Sequence, residues 1–182
     1  NKDAELIPIS LSISPIRNHL GEIVGVSKIA RNISVRKLAE EREASLVSIV
    51  EGSNDAIISQ TVNSIITGWN KSAEKIFGYS EKEVVGKHIS IIIPEDRLGE
   101  EKHMMASIQN GDNIEQYHTV RITKTGALIP VALTISPIRG ANGSVAGASK
   151  ILKDITLEQA GHEALRLHAE RLQILNSMAK AI

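Results

Sequence analysis

Histidine is the residue type in this sequence that most readily supports cofactor chemistry, because a neutral imidazole can bind a haem iron. His103 falls within residues 94–110, where the apolar pattern predicts a helix. On that helix Leu98, Met105 and Ile108 share one face. His103 projects nearly opposite to that face, so we expect a solvated side chain and not a haem ligand. Two further histidines have the placement of surface or hinge residues: His88 and His118.

The sequence contains no cysteine, which removes several other chemistries. Disulfides, thiolate metal sites and a flavin linked through a cysteine sulfur are excluded. A non-covalent flavin could stack on Trp69, but a single buried tryptophan is more often part of a core. The acidic and basic residues form no paired constellation, and no glycine-rich nucleotide loop is present. We predict no catalytic residue, no metal site and no particular cofactor, with haem and non-covalent flavin kept as alternatives.

The composition gives no electrostatic reason to expect a nucleic acid or a direct membrane contact. The 182 residues include 21 basic and 21 acidic side chains, so the formal net charge is zero. The four aromatic rings offer no platform on which bases could stack. No apolar run is long enough to span a bilayer. We expect a cytoplasmic location, in a parent protein that can be anchored in a membrane elsewhere.

The sequence repeats itself, which predicts a duplicated module. Residues 1–34 align without a gap on residues 123–156, and 16 of the 34 positions are identical. The spacing of 122 residues suits an array of domains. The residues before Thr123 in the second copy have no counterpart before Asn1. We therefore expect a piece of a longer protein, holding the end of one domain, the whole of a second and a helix leading out.

Alternating apolar residues predict an antiparallel hairpin in each copy of the repeat. The first hairpin joins residues 7–13 to 23–33, and the second joins 129–138 to 145–155. Further strands are predicted at 56–60, 65–69 and 114–123, and helices at 34–51, 72–77, 80–86, 94–110 and from 156 onward. The last three strands are joined by short turns and must pair antiparallel. The order of elements predicts an α+β domain with about five antiparallel strands and a helical patch on one face.

Helix-start residues support these boundaries. Ser34 is expected to N-cap the first helix, and Asn70 the second, which Gly78 would close. Ser80 and Glu83 have the spacing of a capping box.

Several motifs in the correct order make the middle of the chain similar to a PAS domain. Three segments resemble the first half of a PAS domain: IITGWN (65–70), SAEKIFGYS (72–80) and EVVGK (83–87). RITKTG (121–126) resembles the KDG-type turn of the family, with Thr125 in place of the usual Asp. Asp154-Ile155-Thr156 matches its closing DIT motif, from which Asn32-Ile33-Ser34 of the first copy departs.

The resemblance divides the chain into four parts. They are the last hairpin of a truncated first PAS domain (1–34), a linker helix (35–50), a complete PAS domain (51–156) and an exit helix (157–182). The resemblance implies a sensory module of a multidomain signalling protein, most often a histidine kinase, that dimerises and relays its state through flanking helices. It implies no particular ligand. The alternatives are a ligand-free structural spacer and a haem or flavin sensor of redox state or gas; the haem-ligand position of the family falls nearer Glu100 or Glu101 than His103.

The resemblance also suggests site residues. A mainly apolar pocket would be lined by Trp69, Ile76, Phe77, Met104, Met105, Ile108, Val131 and Leu133, although the same side chains could simply fill the core. Glu83 and Lys124 are expected to pair and to fix the helical patch against the strand turn. Asp154, Ile155 and Thr156 are expected to couple the pocket to the exit helix, with Thr156 as its N-cap and Asp154 bonded to the domain body.

The exit helix has the pattern of a parallel dimeric coiled coil. Its apolar heptad positions are Leu165, Leu172, Leu175, Ala179 and Ile182, with His168 at the remaining core position. The segment HEALR (162–166) resembles the phosphoacceptor box of histidine kinases only weakly, since it has an inserted Ala and no following Pro. We expect a homodimer, with exchange of the first two strands as one possible form, and a kinase, GAF or PAS domain downstream in the same polypeptide.

Overall fold

A computed structural model describes residues 6–179 of the chain, and the side chains as far as Leu172. The chain divides into two compact units, residues 1–49 and residues 50–182. Each unit has its own sheet.

The first unit contains a β-hairpin followed by a helix. Strand β1 (Ile9–Arg17) pairs antiparallel with β2 (Ile23–Asn32), and helix α1 spans Ser34–Gly52. Asn18 closes the turn, because its Oδ1 accepts hydrogen bonds from the backbone N–H groups of residues 20 and 22. Apolar side chains of both strands are exposed: Ile9, Leu11, Ile13, Val24, Val26 and Ile29.

The second unit contains a five-stranded antiparallel sheet. Its strands are β3 (Ala56–Thr61), β4 (Ile66–Trp69), β5 (Ile114–Ile122), β6 (Leu128–Arg139) and β7 (Val145–Asp154). The spatial order is β4-β3-β7-β6-β5, so the last strand in the chain occupies the centre of the sheet. The predicted α+β class and antiparallel sheet are confirmed.

Helices connect β4 to β5 and follow β7. They are α2 (Lys71–Phe77), α3 (Glu81–Val84), α4 (Leu98–Gln109) and α5 (Thr156–Ala179), with 3₁₀ turns at Ile89–Ile92 and Glu95–Arg97. Asn70 caps α2 by accepting a hydrogen bond from the N–H of Ala73, and Gly78 ends it with a φ of 78°. The Ser80–Glu83 capping box forms as well.

The helix predicted from Pro94 begins four residues later. The N–H of Arg97 donates to the carbonyl of Pro94 at 2.9 Å, which closes a 3₁₀ turn before α4 starts at Leu98. Leu98, at the first position of α4, is nearly half exposed. The buried face of α4 is formed by residues 101, 104, 105 and 108.

Alternate residues of each strand form the inner face of the sheet. Ala56, Ile58 and Gln60 of β3 face inward, as do Ala148, Lys150 and Leu152 of β7. Strands β3 and β7 approach each other closely at Gly147, where an added Cβ would lie 2.1 Å from the carbonyl oxygen of Gln60. This glycine is therefore needed for pairing at the centre of the sheet.

Candidate functional site

The residues predicted to line an apolar pocket lie together in the core of the second unit. Seven of them are buried, namely Trp69, Phe77, Met104, Met105, Ile108, Val131 and Leu133, and Ile76 packs against them while partly exposed. The rings of Trp69 and Phe77 are 5.6 Å apart between centroids. Such packing is what a filled core requires, and an apolar ligand among these residues stays a prediction.

A buried polar cluster lies beside this core, and sequence reasoning did not anticipate it. Oε1 of Glu101 on α4 accepts hydrogen bonds from Nε2 of Gln60 at 2.8 Å and from Oγ of Ser64 at 2.9 Å. Oε2 of Glu101 accepts one from Nζ of Lys150 on β7. Glu101 is 5% exposed, Lys150 3% and Gln60 1%. We call Gln60, Ser64, Glu101 and Lys150 the Glu101 cluster; it joins α4 to β3, to the β3–β4 turn and to β7.

Burial disfavours both charges of this pair, yet the two pKa values respond differently. For Glu101, burial alone would raise the pKa, but the charge of Lys150 and the hydrogen bonds from its three partners outweigh burial and lower it. For Lys150, burial outweighs the attraction of Glu101, and the nearby charge of Arg121 adds to it, so the pKa is lowered. The lysine is therefore held in its charged form less firmly than a lysine in water.

The side-chain oxygen of Gln60 is buried and has no hydrogen-bond partner among the described residues. Its Nε2 donates to Glu101 and lies 2.9 Å from the sulfur of Met105. Turning the amide over would place its oxygen against the Glu101 carboxylate, so the carboxylate fixes the orientation. The cluster therefore contains one unsatisfied acceptor.

An open cleft of about 670 Å³ lies on one side of the cluster. Glu101, Ser64 and Met105 contribute to its lining, with apolar contributions from Val62, Leu98 and Ala106. The cleft therefore places open volume beside a buried carboxylate.

The neighbouring residue of α4, Glu100, makes a second set of contacts. Its Oε2 accepts hydrogen bonds from Arg121 Nη1 at 3.0 Å and from Thr119 Oγ1 at 2.8 Å, both on β5. Arg121 is only 2% exposed. Two adjacent carboxylates thus attach α4 to two strands of the sheet, Glu100 to the edge strand β5 and Glu101 to the central strand β7.

The structure brings Glu83 and Lys124 together at the surface. Lys124 Nζ lies 2.5 Å from Glu83 Oε1 and 5.5 Å from the centroid of the Tyr79 ring. The hydrogen bond from Lys124, with those from the N–H and hydroxyl of Ser80, lowers the pKa of Glu83 to about 2.

At the exit from the sheet, the roles predicted for Asp154 and Thr156 need correction. Asp154 Oδ1 accepts hydrogen bonds from the N–H of Thr156 at 2.8 Å and from its hydroxyl, so Asp154 orders the start of α5 and Thr156 is the donor. Asp154 was also expected to bond to the domain body. That contact is made by the backbone instead, where the N–H of Ile155 donates to the carbonyl of Pro130 at 3.1 Å.

The first copy of the repeat makes the same junction despite its different residues. Asn32 Oδ1 accepts from the N–H of Ser34 at 2.8 Å, and the N–H of Ile33 donates to the carbonyl of Pro8 at 3.1 Å. Ser34 was predicted to N-cap α1, but the side-chain acceptor at the start of this helix is Asn32. An Asn and an Asp both offer a side-chain oxygen two residues before the helix, which explains the equivalence.

His103 is exposed on α4, with Nδ1 2.9 Å from the carbonyl oxygen of Gly99. In the part of the chain that the structure describes, no three His, Asp or Glu side chains are grouped as metal ligands. No helix within residues 6–179 is long and apolar enough to cross a membrane.

An antiparallel sheet in the order β4-β3-β7-β6-β5, with its connecting helices between β4 and β5, is the arrangement of a PAS fold. Residues 54–157 match the PAS domain family, so the chain belongs to that family. The crystal structure of the PAS domain of a protein from Colwellia psychrerythraea has the same fold, with a TM-score of 0.57 at 23% identity over 65% of this chain and 98% of that chain.

Two curated relatives are signalling proteins. The chain is 26% identical over 185 residues to the sensor protein FixL of Bradyrhizobium diazoefficiens, and 25% identical over 181 residues to the signal transduction histidine-protein kinase AtoS of Escherichia coli K12. The alignments cover 92% and 98% of this chain, but 35% and 28% of the relatives. The chain thus spans about a third of the length of the curated relatives it matches.

Signals for the Glu101 cluster were present in the sequence. Glu101 lies on the same helical stripe as Met104, Met105 and Ile108, so a carboxylate had to be buried there. Lys150 is identical to Lys28 in the first copy, at an inward-facing position of the repeated strand. A charged residue on an apolar face indicates a buried charge that needs a partner, although the pattern does not identify that partner.

Proposed function

We propose that this chain is a sensory and dimerisation segment of a signal-transduction histidine kinase, in which strand β7 relays the state of the Glu101 cluster to helix α5. One observation carries the proposal: Lys150, which binds Glu101, and Asp154, which orders the start of α5, lie on the same strand four residues apart. A change in how α4 is held at Lys150 therefore acts directly on the strand that leads into α5.

The junction between β7 and α5 is suited to a relay. Ile155 is buried and its backbone is bonded to Pro130, so the end of the strand is fixed to β6. Lys153 at the end of β7 pairs with Glu158 in the first turn of α5, and Asp154 bonds to Thr156. Lys153, Asp154 and Ile155 thus each make one short connection, two of them to the first turn of α5 and one to β6. A displacement of β7 therefore alters the direction in which α5 leaves the sheet.

Helix α5 supplies the surface for dimerisation. Its described apolar side chains are exposed, including Leu157, Leu165, Leu167 and Leu172. Leu165 and Leu172 are one heptad apart, as a coiled-coil seam requires. The remaining predicted seam residues, Leu175, Ala179 and Ile182, have side chains outside the described residues. A second copy of the chain would cover the seam, and a kinase, GAF or PAS domain would follow it.

A ligand-free structural spacer is the second candidate function. The observation in its favour is the near-complete burial of the residues predicted to line the apolar pocket. In a spacer, the Glu101 cluster would serve only to hold α4 on the sheet, and its state would not influence α5.

Cysteine scanning tests the proposal, because the chain has no cysteine of its own. Single substitutions from Glu163→Cys to Leu172→Cys are oxidised and the cross-linked dimer is quantified. We expect maxima at residues 165, 168 and 172 and a minimum at Glu163, which lies on the opposite face. The relay further requires that Glu101→Gln combined with Lys150→Met shifts this pattern. An unchanged pattern favours the spacer, and cross-linking without heptad periodicity contradicts the dimer.

A further inference from the structure

We propose that the hairpin of the first unit is a docking surface for an antiparallel strand and for a helix that carries a carboxylate opposite Lys28. In the second unit, β3 and α4 are the strand and the helix that contact the matching hairpin. We therefore assign the occupant to a segment of the same kind, located before the hairpin in the same polypeptide. The inference concerns the first unit alone and does not depend on the relay proposed for β7.

The hairpins of the two units are built alike, residue for residue. Strands β1 and β2 pair in the register of β6 and β7, so that Ile13 lies opposite Lys28 as Ile135 lies opposite Lys150. The shift of register near the turn occurs at the same place in both hairpins. The contacts that β6 and β7 make inside the second unit can therefore be transferred to the first hairpin position by position.

The face of the first hairpin that matches the buried face of the second is apolar and exposed. In the second unit this face packs against the core, and its residues are buried: Val131, Leu133, Ile135, Ala148, Lys150 and Leu152. The counterparts in the first unit are Ile9, Leu11, Ile13, Val26, Lys28 and Ala30. The four large apolar side chains among these counterparts are 51–57% exposed. Helix α1 has no buried residue, so it does not pack over this face.

Lys28 is the charged residue of this face, and it defines the chemistry of the occupant. Its counterpart Lys150 is buried and bonded to the carboxylate of Glu101 on α4. A lysine that is covered without a carboxylate becomes an isolated buried charge, which is strongly unfavourable. A helix that covers this face is therefore expected to carry an acidic residue, with apolar residues three, four and seven positions further on, as α4 does.

Gly25 indicates that β2 receives a strand along its second edge. Its counterpart Gly147 lies where β7 approaches the carbonyl of Gln60 on β3 too closely for a Cβ. A Cβ added to Gly25 would have an Ile16 methyl at 3.9 Å as its nearest neighbour, and among residues 6–179 β2 pairs with β1 alone. Glycine weakens a strand unless another backbone approaches closely. The edge of β2 thus has the residue that close pairing requires, at the position where β7 uses it.

A second copy of the chain is the alternative occupant, and the charge of the surface disfavours it. Two hairpins packed face to face would bring two Lys28 ammonium groups into one interface, without a carboxylate from this face. Two β2 strands paired edge to edge would leave both apolar faces exposed. A strand with a helix above it accounts for the free edge, the apolar face and Lys28 together.

The occupant is tested by joining an additional copy of residues 50–122 to the front of the full 182-residue chain. Residue 122 then precedes Asn1 as it precedes Thr123, because the two copies of the repeat align without a gap. Hydrogen–deuterium exchange of the β2 amides is measured in the extended chain and in the original chain. We expect this exchange to be at least about tenfold slower in the extended chain, because strand pairing and burial protect amides.

Variants assign the protection to Lys28 and Gly25. Glu101→Gln in the added segment leaves Lys28 covered without a partner, and should return β2 exchange to the rate of the original chain. Combining it with Lys28→Met removes the isolated charge and should restore the slow exchange. Glu95→Gln in the added segment is the matched control, because this carboxylate is exposed. Gly25→Ala should remove the protection in the extended chain and leave β2 exchange of the original chain unchanged.

Unchanged exchange of β2 in the extended chain would overturn the docking surface. Slow exchange that persists equally in Glu101→Gln and in Glu95→Gln would overturn the carboxylate as the partner of Lys28. If β2 exchange in the original chain slows as the protein concentration rises, the surface belongs to a second copy of the chain and the proposal is contradicted. None of these measurements involves α5, so they leave the proposed relay to its own test.

Discussion

Breaking the Glu101–Lys150 pair from either side is expected to destabilise the second unit, with opposite dependence on pH. Glu101→Gln leaves the ammonium of Lys150 buried beside Arg121. The variant can avoid the isolated charge by releasing the proton of Lys150, whose ordinary pKa is 10.5. At about 1.4 kcal/mol per pKa unit, neutralising a lysine at pH 7 costs about 5 kcal/mol, which sets the upper limit of the destabilisation.

Lys150→Met produces the converse situation. The carboxylate of Glu101 keeps the hydrogen bonds from Gln60 and Ser64 but loses its counter-charge. Its ordinary pKa is 4.5, so protonating it at pH 7 costs at most about 3.5 kcal/mol. The double variant Glu101→Gln/Lys150→Met contains neither isolated charge. We expect its free energy of unfolding to lie within about 1.5 kcal/mol of the original value, because a buried pair can be replaced by neutral side chains of similar size.

The pH dependence follows from proton uptake. In Glu101→Gln the folded state holds a neutral Lys150 and the unfolded state a protonated one, so stability rises with pH by up to about 1.4 kcal/mol per unit. In Lys150→Met the folded state holds a protonated Glu101 that ionises on unfolding, so stability falls as pH rises above 4.5. In the unaltered protein the lowered pKa of Glu101 contributes stability that is lost as pH falls below 4.5.

Trp69 gives a direct assay, because it is the single tryptophan and is buried in the second unit. Urea unfolding followed by its fluorescence, at several values between pH 5 and pH 9, yields the four free energies of a double-mutant cycle. Single variants that each lose under about 1 kcal/mol at pH 7, with parallel pH slopes, would refute a buried ion pair at this position.

Other substitutions test the close strand contact, the surface pair and the helix start. Gly147→Ala is expected to destabilise the second unit by about 1–3 kcal/mol, because its Cβ would overlap a carbonyl of β3. Gly25→Ala changes the matching position of the first copy, where an added Cβ lies 3.9 Å from its nearest neighbour, and should unfold at the original urea concentration. Lys124→Ala should raise the pKa of Glu83 from about 2 toward 4.5. On acidification, the stability that ionised Glu83 contributes is then lost at a higher pH than in the unaltered protein. An unchanged NMR titration of Glu83 would show that the pair does not form in solution. Asp154→Ala should lower the protection of the first α5 amides from hydrogen exchange, by the equivalent of about 0.5–2 kcal/mol. Asp154→Asn should preserve that protection. Equal exchange of these amides in the Ala and Asn variants would exclude a capping role for Asp154.

Local patterns were sufficient to predict the fold. The repeated hairpin, with alternating apolar residues on both strands, predicted β6 and β7, and glycine and asparagine signals at residues 70 and 78 predicted the ends of α2. These features depend on neighbours in sequence, so the sequence alone reveals them. The start of α4 was missed because a 3₁₀ turn and an α-helix share the same residue preferences after a proline.

The Glu101 cluster required knowledge of tertiary structure. Glu101 is 41 residues from Gln60 and 49 from Lys150, so nothing local reveals that they meet. The apolar periodicity of α4 predicts that Met105 and Ile108 lie on the buried face, and Glu101 lies on the same stripe. A carboxylate is ordinarily solvated, so residue type favours an exposed Glu101 and conceals its burial. The junction roles of Asp154 and Thr156 were exchanged for a similar reason, since both residue types can cap a helix and only geometry decides between them.

The most direct test of the relay is hydrogen–deuterium exchange of α5 in the unaltered chain and in Glu101→Gln/Lys150→Met. The account predicts that removing the pair changes exchange in the first turns of α5, residues 156–165, although these lie outside the cluster. Lys124→Ala, which removes an ion pair that contacts neither β7 nor α5, should leave those turns unchanged. Equal exchange of α5 in all three proteins would contradict the claim that the Glu101 cluster communicates with the exit helix through β7.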